Sequence, residues 1–447
     1  MSDKLRPSLS TLGAKVKELS EQLEQLYKDA KAPVPTLAAD SPASTFTGEI
    51  FVVKQKLADA MNDLNIISQG PNESVFNYCH NVIPDVAALN IINHFDFWSA
   101  VPLEGTATVG DVAKKTQLPE EVVQRVIEHV TTLRYFAYTN PSIPKTSKIQ
   151  HTSRSAALAK SFGLRALVTS TIQDCGPPML VMPEALEKYS LGQQSLTRDV
   201  DKTAFALAHS GGEVFGKYGT VWDYLEHDGN GEKKGWRQRN FNGWMQYIKE
   251  IFGTDAVLLE AVDWKTAGEA TVVDVGGSGG HDAFGLAEAF PNLKVIVEDL
   301  AESKPVFETN IPKGLTSRVS FQQHNFFEPQ PIQADFYLFK FIFHDWPDKE
   351  SIAILQALRP ALKPGAKVIF VDYVGKQGEF DASLPRSIHQ FGTSTDLRMM
   401  ALFNHEERPT DAWRDIFRRA DERFEVASVK ANPLTYIVVI EAVWRGE

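Results

Sequence analysis

The sequence predicts an α/β protein: a doubly wound, mostly parallel sheet in the C-terminal part, preceded by a mostly helical domain. Three observations predict it. From Ala270 onward short apolar strands alternate with helices, the pattern of a parallel sheet covered on both faces. The first of these strands runs straight into a glycine-rich loop. Before that point the chain reads as short helices separated by tight breaks. At 447 residues it is too long for one compact core and suits two domains plus an arm. We expect an N-terminal helix and linker over 1–73, a helical domain over 74–190 and the sheet domain over 191–447.

Taken in order, Leu9, Leu12, Val16, Leu19, Leu23 and Leu26 mark one face of an amphipathic helix. Residues 32–47, rich in Pro, Ala, Ser and Thr, read as a linker. Ala87 to Trp98 is helical, Thr108 caps a helix running through Val112, and Pro119 opens another over Val122 to Leu133. Tyr135–Tyr138 and Ile149–Thr152 look like a two-stranded wing. Helix, turn, helix, wing is a winged-helix plan. A DNA reader of that plan needs a basic second helix; Glu120, Glu121 and Glu128 against Arg125 point to an interaction domain instead. The expected strands of the sheet are Thr271–Val275, Val295–Val297, Val319–Gln322, Phe336–Phe343 and Lys367–Tyr373. Phe424–Val429 and Thr435–Trp444 follow without a helix between them and should pair antiparallel.

Bulk composition narrows the function. A net charge of −11 gives no electrostatic case for nucleic acid or an anionic membrane. Two cysteines, Cys79 and Cys175, make no disulfide framework and fit a reducing compartment. With no apolar leader and no long apolar run, the expectation is a cytoplasmic protein. No His, Cys and Asp cluster has metal-ligand spacing, so a metal-independent site is expected.

The strand Thr271–Val275 ends in Gly276-Gly277-Ser278-Gly279-Gly280. Glycines there let the backbone turn and approach a ligand that a Cβ would block. The following helix turns its first amides toward the same crevice. The next strand ends in Glu298-Asp299, where an acid can accept hydrogen bonds from ribose hydroxyls. The dinucleotide fingerprint fails, because Asp282 stands where its third glycine belongs. Asp274-x-Gly276-x-x-x-Gly280 is the D-x-G-x-x-x-G form used around the methionine end of S-adenosyl-L-methionine.

The fourth strand runs into His344-Asp345-Trp346-Pro347-Asp348. With the Asp-Val-Gly-Gly loop, the Glu-Asp-Leu acid and Ala361–Gly365, this segment resembles the plant- and fungal-type small-molecule O-methyltransferases. Asp396–Met400, Glu407-Arg408 and Trp413 extend the likeness, which covers most of residues 75–447. The resemblance implies a Rossmann-like sheet of the class I methyltransferase type behind a winged-helix dimerisation domain, and a homodimer. It implies that His344 is the general base, flanked by Asp372 and Glu407. It places Asp274, Gly276, Gly277, Gly280, Asp299, Asn325, Phe326 and Lys340 around the cofactor, with Lys340 near the adenine. Asp345 is expected to cap the loop. A phenol of pKa ~10 facing an imidazole of ~6.5 would cost about 5 kcal/mol to deprotonate outright, so proton transfer should accompany methyl movement.

Four positions depart from that pattern. Ser278 replaces a glycine; Asn325 replaces the acid that contacts adenine; Asp372 is one methylene shorter than the usual glutamate. His405-Glu406-Glu407-Arg408 replaces Gly-Lys-Glu-Arg, which leaves Glu406 as a substitute for Glu407. Phe241, Trp244, Met245 and Met400 are the expected substrate wall, suited to a flat apolar or aromatic small molecule. Two activities stay open: methyl transfer to a hydroxyl of an aromatic or polyketide-like metabolite, or the dehydratase and pericyclase chemistry of non-methylating fungal relatives.

Overall fold

The computed structural model describes residues 7–43, 48–144, 146–229, 233–373, 384–432 and 437–446. The chain forms two compact units. One comprises Met1–Phe252 with Pro385–Ser387 and Met400–Asn404; the other comprises Gly253–Leu384, Ile388–Met399 and His405–Glu447.

In the first unit the predicted N-terminal helix spans Leu9–Asp29, with Ser8 Oγ accepting from the Thr11 amide. Leu12, Leu19 and Tyr27 are its buried positions, and Leu19 packs with Val53 and Ala60. Those partners lie on a helix the sequence reading missed. It runs Gly48–His94 and is broken at Gly70, whose φ of 75° is not helical. Gly70-Pro71 reads as a loop because proline cannot donate to the preceding turn, yet helix resumes at once beyond it. The winged-helix plan is present: Val109–Thr116 with a Thr108–Asp111 capping box, then Glu120–Thr132. Strands β1 (Phe136–Tyr138) and β2 (Ile149–His151) pair antiparallel. Ile92, Phe97, Val112, Val123, Ile127, Val130 and Phe136 form their shared core.

The first unit continues past the expected boundary at 190 because helix Trp236–Phe252 packs on helix Phe162–Thr169. Asn240 Nδ2 donates to Ala166 O and Ser170 Oγ, both at 3.0 Å. Glycine at 163 allows the approach, since a Cβ there would lie 2.9 Å from the Gly243 carbonyl.

The second unit is a seven-stranded sheet: β3 (Thr271–Val275), β4 (Lys294–Asp299), β5 (Val319–Gln323), β6 (Phe336–Lys340), β7 (Lys367–Tyr373), β8 (Phe424–Asn432) and β9 (Ile437–Trp444). The order is β5-β4-β3-β6-β7-β9-β8, parallel through β7, with β9 antiparallel to both β7 and β8. Alternate residues feed two cores. Tyr337, Phe339 and Phe370 join Trp413 on one face; Leu338, Ile369 and Val371 join Leu286 on the other. Strand β6 stops at Lys340 rather than at the expected Phe343. Phe341 takes a left-handed φ of 55°, and Phe343–Asp345 closes a 3₁₀ turn. That turn swings His344 over the sheet's carboxyl edge. Among the described residues, no helix is long and apolar enough to cross a membrane.

Candidate active site

Strand β3 delivers the glycine loop. Gly276 has φ 74° and Gly280 φ 83°, backbone that L side chains rarely adopt. A Cβ on Gly276 would lie 2.5 Å from Ile342 Cδ1; one on Gly280 would lie 2.8 Å from both Phe284 and Phe307. A Cβ on Gly277 would collide with the Asp274 carboxyl group. The Gly276 and Gly277 amides both donate to Glu298 O, at 2.7 and 3.2 Å. Ser278 holds φ 50° where glycine is usual, and its amide donates to Asp299 Oδ2 at 2.8 Å. The other Asp299 oxygen accepts from the Leu300 amide and Ser303 Oγ.

Successive residues of a strand face opposite ways, and this sorts the two acids of β4. Asp299 is half-buried at the crevice, while Glu298 is buried with His324 and Gln330. Burial pushes the Glu298 carboxyl above its ordinary range. The His324 amide also donates to Asp299 O, so His324 ties the next loop to β4. In that loop Asn325 is exposed and its Oδ1 accepts from the Phe327 amide. Phe326 lies beside Gly276 and packs edge-on to Trp346. Lys340 is buried and donates to Asp282 Oδ1 at 2.6 Å, with Asp255 at 3.7 Å. Its charge is therefore met by the first turn of the helix after the glycine loop. The residues present fit S-adenosylmethionine: a glycine loop, a half-exposed acid for ribose hydroxyls and an aromatic ring for a purine.

Strand β6 delivers His344. Its Nδ1 faces Glu407 Oε1 at 3.9 Å and its Nε2 faces Asp345 Oδ1 at 3.6 Å. Asp372, fully buried at the end of β7, accepts from the His344 backbone amide at 3.2 Å. Burial by itself would lower the imidazole pKa. The charges of Asp345 and Asp372, with the Glu407 carboxylate, outweigh it and hold the ring well above 6.5. Burial also raises the Glu407 carboxyl, against the pull of His344. Glu406 is exposed, so the acid facing the ring is Glu407. Asp345 is not only a loop residue: its carboxylate is the acid nearest Nε2. Its proximity follows from the 3₁₀ turn, whose first residue, Phe343, the apolar pattern assigns to the strand.

The four expected substrate-wall residues lie in the first unit and are all half-buried. Phe241 packs edge-on to Trp222 and Trp244. Trp222 also packs on Phe403, three residues beyond Met400.

Comparison with known proteins identifies the scaffold. The O-methyltransferase domain family matches residues 207–422. O-methyltransferase lcsG of Purpureocillium lilacinum is 40% identical over 97% of this chain and 92% of its own length. OxaC in complex with SAH and oxaline shares the fold at a TM-score of 0.71 and 20% identity, over 97% of this chain and 100% of that one. A structure described as a pericyclic reaction enzyme does so at 0.70 and 19%, with the same coverage. At 40% identity over nearly its whole length to such a relative, the chain belongs to the O-methyltransferase family, as an S-adenosylmethionine-dependent enzyme.

Proposed function

We propose that this enzyme methylates a hydroxyl group of an aromatic or polyketide-like secondary metabolite, with His344 as general base. The observation that carries the proposal is the geometry around His344: Glu407 faces Nδ1 at 3.9 Å, and Nε2, with Asp345 beside it at 3.6 Å, would receive the substrate proton. When bound, S-adenosylmethionine supplies an electrophilic methyl group. Asp274, Gly276, Gly277, Gly280 and Asp299 would hold it, with Asn325 and Phe326 beside the adenine. Lys340 would act there through Asp282. Phe241, Trp244, Met245 and Met400 would wall the acceptor.

The carboxylates around His344 serve this chemistry directly. Every pKa unit by which they raise the imidazole removes about 1.4 kcal/mol from its mismatch with a phenol. Glu407 and Asp372 would then stabilise the imidazolium formed as the methyl group moves.

One observation favours a second reading. The carboxylates around His344 raise its pKa, which favours the imidazolium, and an imidazolium donates rather than accepts. Dehydration or pericyclic closure would use it that way, without consuming the methyl group. Mass spectrometry decides between them, comparing the metabolite that accumulates without the enzyme with the one formed on its return. A gain of one CH₂ supports methyl transfer. An unchanged mass or loss of water overturns it.

The helical unit would form a homodimer across residues 75–165, reinforced by the N-terminal helix, and the sheet unit would hold the cofactor. Val75, Phe76, Tyr78 and Ile83 support this, being large apolar side chains each more than half exposed. Light scattering showing a monomer would remove the dimer. The cysteine usage fits work in the cytoplasm.

A further inference from the structure

We infer that Arg408 is a positioning residue that holds the His344 turn in register with Glu407; the inference rests on His344 being the reactive group. The turn needs such a tie. It is one three-residue 3₁₀ turn, and short 3₁₀ pieces are weakly held by their own hydrogen bonds. Phe341, just before it, is in the left-handed region, a conformation that persists only where surrounding contacts impose it.

Arg408 supplies contacts at both ends of the turn. It is 2% exposed. Its Nη1 reaches Phe343 O at 3.5 Å and its Nη2 donates to Trp346 O at 2.8 Å. Those two carbonyls bracket His344 and Asp345. Its Nε donates to Asp348 Oδ1 at 2.9 Å, which neutralises the buried charge. The guanidinium lies 4.6 Å from the centre of the Trp413 ring, itself packed against Phe343 and Phe370. A planar fork can serve a carboxylate and two carbonyls at once; an ammonium is a single point. The neighbouring residue carries the other half of the device. Glu407 presents its carboxylate to His344 Nδ1, while its own amide donates to Asp396 Oδ1 at 2.8 Å. Adjacent residues thus grip the backbone of the turn and face its imidazole, so a shift of one alters the other.

A control lies on the same carboxylate. Asp348 Oδ2 also receives Arg419 Nη1 at 2.9 Å, but Arg419 is half-exposed and has no hydrogen bond to the turn. The test labels histidine Cε1 with ¹³C in the full-length protein and assigns the His344 signal by its loss in His344→Ala. In Arg408→Lys the His344 titration midpoint should fall toward 6.5. Product formation in the metabolite assay should drop by about tenfold to a hundredfold, the scale of a 1 Å misplacement. Arg419→Ala should leave both at wild-type levels. In Arg408→Ala, added guanidinium chloride should restore the wild-type midpoint, an outcome a merely unfolded variant does not give. A wild-type midpoint and wild-type product in Arg408→Lys overturn the inference while leaving His344 as base. Full product from His344→Ala instead removes the general base, and the midpoint shift in Arg408→Lys still reports on the clamp.

Discussion

The glycine loop and the His344 turn stand at the carboxyl ends of neighbouring strands, β3 and β6, yet they are built in opposite ways. The loop is held by backbone. Its amides reach Glu298 O and Asp299, and its shape depends on residues that lack a Cβ. The turn is built around charge. Three carboxylates surround one imidazole, and His344 Nδ1 and Glu407 Oε1 face each other without a hydrogen bond. Satisfied backbone contacts give a fixed surface that is indifferent to pH and suits binding a cofactor. Facing charges at a distance longer than a hydrogen bond give a centre whose protonation can change during a reaction. The lesson is that adjacent loops of one sheet divide the labour between shape and charge.

The comparison predicts separable defects. The largest is expected for His344→Ala, with turnover down at least about a hundredfold and S-adenosylhomocysteine affinity by calorimetry unchanged within about twofold. An active variant would make the turn structural and end the division. Next comes Gly280→Ala, which forces a Cβ against Phe284 and Phe307 at φ 83°. It should cost about 2 kcal/mol of stability and weaken cofactor binding at least about tenfold, measured by thermal unfolding and calorimetry. Retained affinity would mean that the loop's shape is not what binds.

The pH dependence sharpens the contrast. A base must be deprotonated, so product formation should rise with pH through a midpoint above 6.5. Replacing Glu407 by Gln removes one of the charges that raise the ring, so the midpoint should move down. A midpoint that stays put in Glu407→Gln would assign the raised pKa to Asp345 and Asp372. Cofactor affinity, resting on backbone, should stay flat across the same range. The smallest effect is expected at Ser278→Gly, where relief of the left-handed strain is largely offset by the entropy of glycine. Unfolding free energy should change by less than about 1 kcal/mol.

Much of this architecture was legible because it is local. The strand and glycine signals around Asp274 lie within a few residues, and Asp299 follows from the end of the next strand. The helix Gly48–His94 was not legible, because Gly70-Pro71 carries the signature of a loop and only packing keeps both halves helical, the first against the N-terminal helix and the second in the core of the helical domain. The extent of β6 was not legible either. Phe341, Ile342 and Phe343 are as apolar as the strand before them, and only the backbone reversal at Phe341 ends it. The role of Arg408 had no local signal, since its partners at 343, 346 and 348 are distant in sequence.

Residue types at short spacing were enough for the class of sheet, the glycine loop and the histidine at its edge. At that range backbone propensity and sterics decide. The tertiary structure alone decided which acid faces which atom of that histidine. Glu407 faces Nδ1, Asp345 lies nearest Nε2, and Asp372 accepts from the backbone amide. It also decided that Lys340 is paired with Asp282 and that Glu298 turns inward while Asp299 turns out. Charge acts through distances between segments far apart in the chain, and those distances exist only once the two faces of the sheet are packed.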